Sequence, residues 1–255
     1  MKIRRGSALA IASAVIGVAT LAIAGFVFRD RLLEEWRLAN SRTVIGRVRL
    51  NGNPPPAPPP IAMDCDPNCA AANRTPLFPQ DVVLNQDGTL MNVLVHVSSG
   101  LEGKTFPVPS EPVVLDQLRC RYVPHVFGIQ VRQPLEILNS DATNHNVHAV
   151  AKNGPSFNLG MPNQGMKTRR DFRRAEYSPP VRIKCEIHQW MTAWCGVFDH
   201  PYFSVTGDRG EFRIPNLPPG RYTLTAWHEK YGELSRTIEV PAWGSRRVDF
   251  AFQGE

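Results

Sequence analysis

Four residues have the side chains and spacing to hold a soft metal ion: His145, and then Cys185, His188 and Met191 in the run Cys185-Glu-Ile-His188-Gln-Trp-Met191. A thiolate, two imidazoles and a thioether are soft or borderline donors. A trigonal His₂Cys set with a weak axial methionine is the ligand pattern of a copper electron-transfer site. A structural zinc site more often brings paired Cys-x-x-Cys donors. Cys-x-x-His-x-x-Met is compact, so one loop at a strand end can deliver three donors to one ion. His145 lies 40 residues upstream of Cys185, enough for the intervening strands of a small sandwich. Singly, each residue has an ordinary role: a cysteine in a strand is commonly a small buried hydrophobe, a methionine fills core, a histidine is a satisfied polar group. Their joint spacing points to copper instead. His148, three positions from His145 on a strand, belongs on the opposite face and reads as structural.

The elements that must position these residues are strands. From Thr43 onward short apolar runs alternate with turn residues: Thr43–Leu50, Met91–Val97, Gly128–Val131, Leu135–Leu138, Val147–Val150, Val181–Cys185, Gly196–Phe198, Glu211–Ile214, Tyr222–Trp227, Thr237–Val240 and Arg247–Phe252. No long helical periodicity competes, and the 23 prolines and 19 glycines punctuate the runs, which is the pattern of an all-β sandwich protein. Residues 51–60 (NGNPPPAPPP) read as an extended, solvated connector.

Two family resemblances follow from these motifs. His145-Asn-Val-His148 together with Cys185-x-x-His188-x-x-Met191 resembles the cupredoxins, in their amicyanin branch; plastocyanins space histidine and methionine more widely. Tyr122–Val131 and Gln133–Asn139 match the strands ahead of the first ligand. The resemblance implies a Greek-key copper sandwich over residues 107–199. His145 is then the upstream imidazole ligand, Cys185 the thiolate, His188 the solvent-edge imidazole and electron port, and Met191 the axial thioether. Asn146 would tie the ligand loops together, Trp190 would form an apolar docking rim, and Glu186 departs from the small or neutral residue usual beside the thiolate. Further on, Val205-Thr-Gly-Asp-Arg-Gly210, Phe212-Arg-Ile214 and Leu217-Pro-Pro-Gly-Arg-Tyr-Thr-Leu224 resemble the transthyretin-like carboxypeptidase regulatory-like domain. That family's opening strand and glycine turn lie far upstream, as Gly46-Arg-Val48 and Asn51-Gly-Asn-Pro54. The expected organisation is therefore a discontinuous outer sandwich, 43–106 plus 200–255, with the copper domain inserted. A tandem order is the alternative.

The N-terminus implies export. Basic Lys2, Arg4 and Arg5 precede an uncharged run over residues 8–28, long enough to cross a hydrocarbon core of about 30 Å. A cleaved signal peptide is the rival, but its apolar region usually runs only about 7–15 residues, so the reading is a retained anchor. The positive-inside rule places the remainder outside the cytoplasm. Residues 29–40 read as a juxtamembrane helix, completing an anchor unit over 1–41. Outside the compartment of reduced thiols, Cys65, Cys69, Cys120 and Cys195 remain once Cys185 is a ligand. A disulfide from Cys69 or Cys65 to Cys120 is expected, with Cys195 a buried free thiol. His125, His200 and His228 read as structural rather than as a second metal site.

Net charge is +6, but residues beyond 41 hold 23 bases against 20 acids, too mild an excess for a nucleic-acid surface. The cluster Lys167, Arg169, Arg170, Arg173 and Arg174 reads as a solvated face. No nucleophile elbow, phosphate loop or paired-acid motif argues for a hydrolase or kinase, so no enzymatic activity is expected. The sequence points to one copper ion cycling between Cu(I) and Cu(II), and to an exported redox protein as partner. Copper delivery without redox duty, or a surface sandwich binding carbohydrate or protein, are the alternatives.

Overall fold

The structure, a computed structural model, describes residues 42–254. The expected anchor and juxtamembrane helix, 1–41, lie outside the described residues. Within those, no helix is long and apolar enough to cross a membrane. In chain order the elements are β1 (Val44–Asn51), helix α1 (Pro67–Ala72), β2 (Leu94–Ser99), β3 (Val113–Gln117), β4 (Tyr122–Val123), β5 (Val126–Gln130), β6 (Leu135–Asn139), β7 (His145–Val150), β8 (Phe157–Met161) and β9 (Lys167–Arg170). There follow β10 (Glu176–Lys184), β11 (Thr192–Phe198), β12 (Phe203–Val205), β13 (Glu211–Ile214), β14 (Gly220–His228), β15 (Gly232–Val240), β16 (Arg246–Arg247) and β17 (Phe250–Gln253). The described residues are thus all-β apart from one short helix.

Among the described residues four sheets form two packed pairs. Order β5-β11-β10-β7-β8 faces β4-β3-β6-β9 across a core that includes Leu115, Tyr122, Ile129, Ile137, Val147 and Val197. The other pair is β12-β2-β14-β15 and β13-β1-β16, with β17 also on β1; its core includes Val48, Val95, Phe212, Tyr222, Leu224 and Phe250. Alternation decides which side chains enter: in β13 Phe212 and Ile214 are buried while Glu211 and Arg213 face water. Strand β1 runs parallel to β17, and Val248 N–H donates to Ile45 O. A Cβ at Gly46 would stand 1.7 Å from Val248 O, so this approach requires glycine.

Strand β2 is buried on both faces. Val95 and Val97 enter the outer core, whereas Leu94 packs with Val126, Phe198 and Trp227 in a seam between the two sheet pairs. His96 lies in that seam at 0 % exposure, its ring against Tyr177 and Phe198.

Two differences from the sequence reading bear on the site. Residues 61–77, expected with the outer sandwich, send Ile61, Met63, Cys69 and Leu77 into the other core, beside Leu115 and Tyr122. Strands β3, β8 and β9 were not among the expected runs. β9 holds Lys167, Arg169 and Arg170 of the basic cluster as a solvated edge on β6, with Lys167 and Arg169 both reaching Glu136. Charge on an exposed edge strand blocks pairing with other chains and hides the strand from a hydrophobicity pattern.

Candidate metal centre

Three segments meet at one end of the first sheet pair. His145 opens β7; Cys185 follows β10; His188 and Met191 lie on the turn into β11. Two backbone bonds close this loop: Met191 N–H donates to His188 O (2.9 Å) and Cys185 N–H to Met191 O (3.1 Å). The spacing of three residues that suggested a one-loop ligand set therefore forms a tight turn, with Met191 buried beneath it.

The ring nitrogens of His145 and His188 face each other, Nδ1 to Nδ1 at 3.0 Å, and the Cys185 Sγ lies 3.9 Å from His188 Nδ1. The donor atoms of His145, Cys185 and His188 all fall within 4.8 Å of one another, and all three residues are buried. His188 N–H also points at the sulfur, at 3.4 Å. Burial opposes ionisation of the Cys185 thiol. His145 and the N–H groups of Asn146, Ile187 and His188 outweigh it and hold the thiol below its ordinary range.

The far nitrogens decide what the centre wants. His145 Nε2 lies 3.0 Å from an Asp141 carboxylate oxygen, and His188 Nε2 lies 2.9 Å from one of Asp66. A carboxylate can only accept, so each Nε2 carries hydrogen and each neutral ring turns an Nδ1 lone pair inward. Two lone pairs 3.0 Å apart repel unless a positive charge lies between or beside them. Without a metal a proton supplies it: burial disfavours the charge on His145, but Asp141 and the Cys185 sulfur lift its pKa to about 9. A cation held by the two imidazoles and the thiolate would replace that proton. Carboxylates on the outer nitrogens are the usual means of fixing ligand histidines in orientation and tautomer. The residues fit a copper ion.

Asp66 and Asp141 were missed by the sequence reading. Asp66 also caps α1, accepting from Asn68 N–H (2.8 Å) and Cys69 N–H (3.2 Å), and takes the Thr143 hydroxyl (2.9 Å). Burial works against its charge, but Thr143, His188 and the cap bring its pKa down to about 2. An Asp-Pro pair opening a helix was the available signal. Asp141 sits where Arg119 and Cys120, both at positive φ, aim their N–H groups at its two oxygens (2.6 and 2.7 Å). Nothing in local sequence spacing announces that contact.

The remaining assignments sort by contact. Asn146 ties the loops: its Oδ1 accepts Glu186 N–H at 2.6 Å and its Nδ2 donates to Asn158 on β8. Glu186 turns outward, to Lys184 and to His148 Nδ1, and His148 points away from the centre. The expected solvent-edge exposure of His188 is not found. Its ring is 1 % exposed, because residues 61–77 lie across it with Asp66 and Cys69 in contact. Nor is Trp190 a free docking rim: its indole N–H donates to Cys120 O at 3.0 Å and its ring packs on His188. The covering segment is fastened by a disulfide between Cys69 and Cys120, leaving Cys65 exposed and free and Cys195 buried and free. His200 and His228 accept backbone N–H groups, from Tyr202 and Lys230. His125 links Thr192 O (2.9 Å) to the Glu229 carboxylate, which also takes the Trp194 indole N–H. None of the three joins a metal-binding group among the described residues.

Residues 199–253 match the model of the carboxypeptidase regulatory-like domain. No curated protein matches the chain. Similar solved structures are cupredoxins. A copper-containing nitrite reductase from Thermus scotoductus SA-01 is 20% identical over 40% of this chain, with TM-score 0.32. A purple cupredoxin from Nitrosopumilus maritimus is 24% identical over 30% of this chain and 80% of its own, with TM-score 0.26. An oxidised amicyanin variant is 20% identical over 40% of this chain and 97% of its own, with TM-score 0.30. The matched region spans a quarter of the nitrite reductase's length. At these scores the likeness carries no weight beside the geometry of the centre.

Proposed function

We propose that this chain is a copper protein of cupredoxin type that carries single electrons outside the cytoplasm, tethered by its N-terminal segment. Bound copper would supply the one-electron couple between Cu(I) and Cu(II), and His145, Cys185, His188 and Met191 would hold it. The observation carrying this reading is the inward pair of Nδ1 atoms beside a stabilised thiolate, each histidine anchored behind by a carboxylate. Such anchoring lets the ligands keep one geometry in both oxidation states, so little rearrangement opposes electron transfer. The N–H groups at the sulfur stabilise thiolate charge and tune the potential. In this proposal the copper domain comprises 107–199 together with the covering stretch 61–77. Segments 43–50, 82–106 and 200–255 form the transthyretin-like sandwich around it. The exported redox partner is a protein able to accept or donate one electron, and no catalytic role is assigned.

Loading the full chain with Cu(II) tests the site. An intense visible thiolate-to-copper band that disappears in Cys185→Ser supports it, and a colourless loaded protein overturns it. One observation favours a second reading, copper holding or delivery: the ring expected to be the electron port is covered. Voltammetry separates the two, since a carrier gives a reversible one-electron wave and keeps its copper against a chelator.

A further inference from the structure

The disulfide stands against the candidate centre in a way that structural bracing does not explain. Cys69 Sγ lies 3.6 Å from His188 Nε2, and Asp66, the carboxylate on that nitrogen, also accepts the Cys69 N–H. On the other side, Asp141 holds His145 Nε2 and accepts the Cys120 N–H. Each half of the disulfide thus has a carboxylate and a ligand histidine beside it. Two further groups of potential metal donors result, Asp66 with Cys69 and His188, and Cys120 with Asp141 and His145. Both cysteines are buried, at 0 % and 1 % exposure.

We infer that reduction of the Cys69–Cys120 disulfide creates a second metal site, in which the two thiolates bind Cu(I) against the outer face of His188. The inference extends the copper reading through His188, but its two sulfur ligands are independent of Cys185. The chemistry balances. A dithiol reductant passes two electrons and two protons to the disulfide, giving two thiols and its own disulfide. Cu(I) then displaces both thiol protons to form a dithiolate complex. Metal–thiolate bonds of about 2.3 Å require the sulfurs to stand no more than about 4.6 Å apart. That is within reach of side chains whose Cα atoms are 5.7 Å apart. The Cys69 side can adjust, because α1 has six residues and follows an exposed proline-rich stretch. Soft thiolates select Cu(I), and the carboxylates can take up the neighbouring N–H groups in either state. His188 keeps its Nε2 hydrogen bond to Asp66, so the second ion rests on the two sulfurs beside the ring and the displaced thiol protons pass to solvent.

The test counts Cu(I) bound to the full chain, in competition with bicinchoninate under anaerobic conditions. The disulfide form should hold one equivalent, and the form reduced with a trialkylphosphine should hold two. Cys185→Ser should hold none oxidised and one reduced, which keeps failure of the first site distinct from failure of the second. Cys69→Ser/Cys120→Ser, checked by circular dichroism, should hold one under both conditions. A measurement independent of that variant's folding is alkylation of the reduced wild-type chain. Cu(I) should slow N-ethylmaleimide reaction at Cys69 and Cys120 at least tenfold while leaving Cys65 unchanged. Equal stoichiometry before and after reduction, or alkylation of Cys69 and Cys120 unaffected by Cu(I), overturns the inference.

Discussion

His96 should make the metal-free protein sensitive to mild acid. Its ring lies in the seam between the two sheet pairs at 0 % exposure, and neither ring nitrogen has a hydrogen-bond partner. Burial, helped by the nearby His200, brings its pKa down to about 3. The folded state therefore keeps His96 neutral where the unfolded chain, near the ordinary 6.5, takes up a proton. Because the unfolded state binds more protons, stability is complete above about pH 6.5 and falls as pH drops toward 3. Each tenfold difference in proton affinity is worth about 1.4 kcal/mol, so the loss is about 2 kcal/mol at pH 5 and about 5 kcal/mol below pH 3. That is a large share of the roughly 5–15 kcal/mol by which domains are stable. The perturbation is His96→Phe, which keeps an aromatic ring against Tyr177 and Phe198. Urea unfolding of wild type and variant at pH 7 and pH 5 gives each protein's own loss. Any packing change at residue 96 cancels in that comparison. The variant should lose about 2 kcal/mol less than wild type between the two pH values. Equal losses would refute the view that a neutral, unpartnered ring at the seam carries this acid sensitivity.

Four other outcomes follow. His145 acts in the opposite sense: its pKa of about 9 in the metal-free chain gives stability that is full below pH 6.5 and fades toward pH 9. Metal-free protein should accordingly be most stable near pH 6.5, and copper should remove the alkaline decline, as read by thermal melts with and without the ion. Asn146→Ala should cost about 1–3 kcal/mol by leaving the Glu186 N–H without its acceptor, and should speed copper loss to a chelator. Glu229→Ala should cost about 1–3 kcal/mol in urea unfolding, since it strips the buried His125 ring and the Trp194 indole of their shared acceptor. Cys69→Ala/Cys120→Ala, which opens a loop with 51 residues of separation, should lower stability by about 4 kcal/mol on the chain-entropy account, measured the same way.

How far the sequence could be read depended on where each side chain's partner lies. Cys185, His188 and Met191 were legible because one turn fixes all three, and local spacing encodes a turn. His145 was legible from the His145-Asn-Val-His148 motif and its distance from Cys185, although the expected strand began only at Val147. Its partners on the outer side were not, because Asp66 reaches His188 across 122 residues and Asp141 meets Cys120 only through an unusual backbone bend. The same cause explains why His188 was expected at the surface. Local sequence places it at a loop edge, and only the disulfide-fastened stretch from a distant part of the chain covers it. Strands followed a similar rule. β13 alternates against a core and β14 is an apolar run buried over its last five residues, so both declared themselves. By contrast, β8 and β9 lie at edges where most side chains meet water at least in part. The glycine of Gly46-Arg-Val48 could be recognised as a family-like motif, but its physical reason is a carbonyl arriving from residue 248. What joins segments far apart in the chain is decided by packing, and packing of this kind leaves no periodicity for a sequence to display.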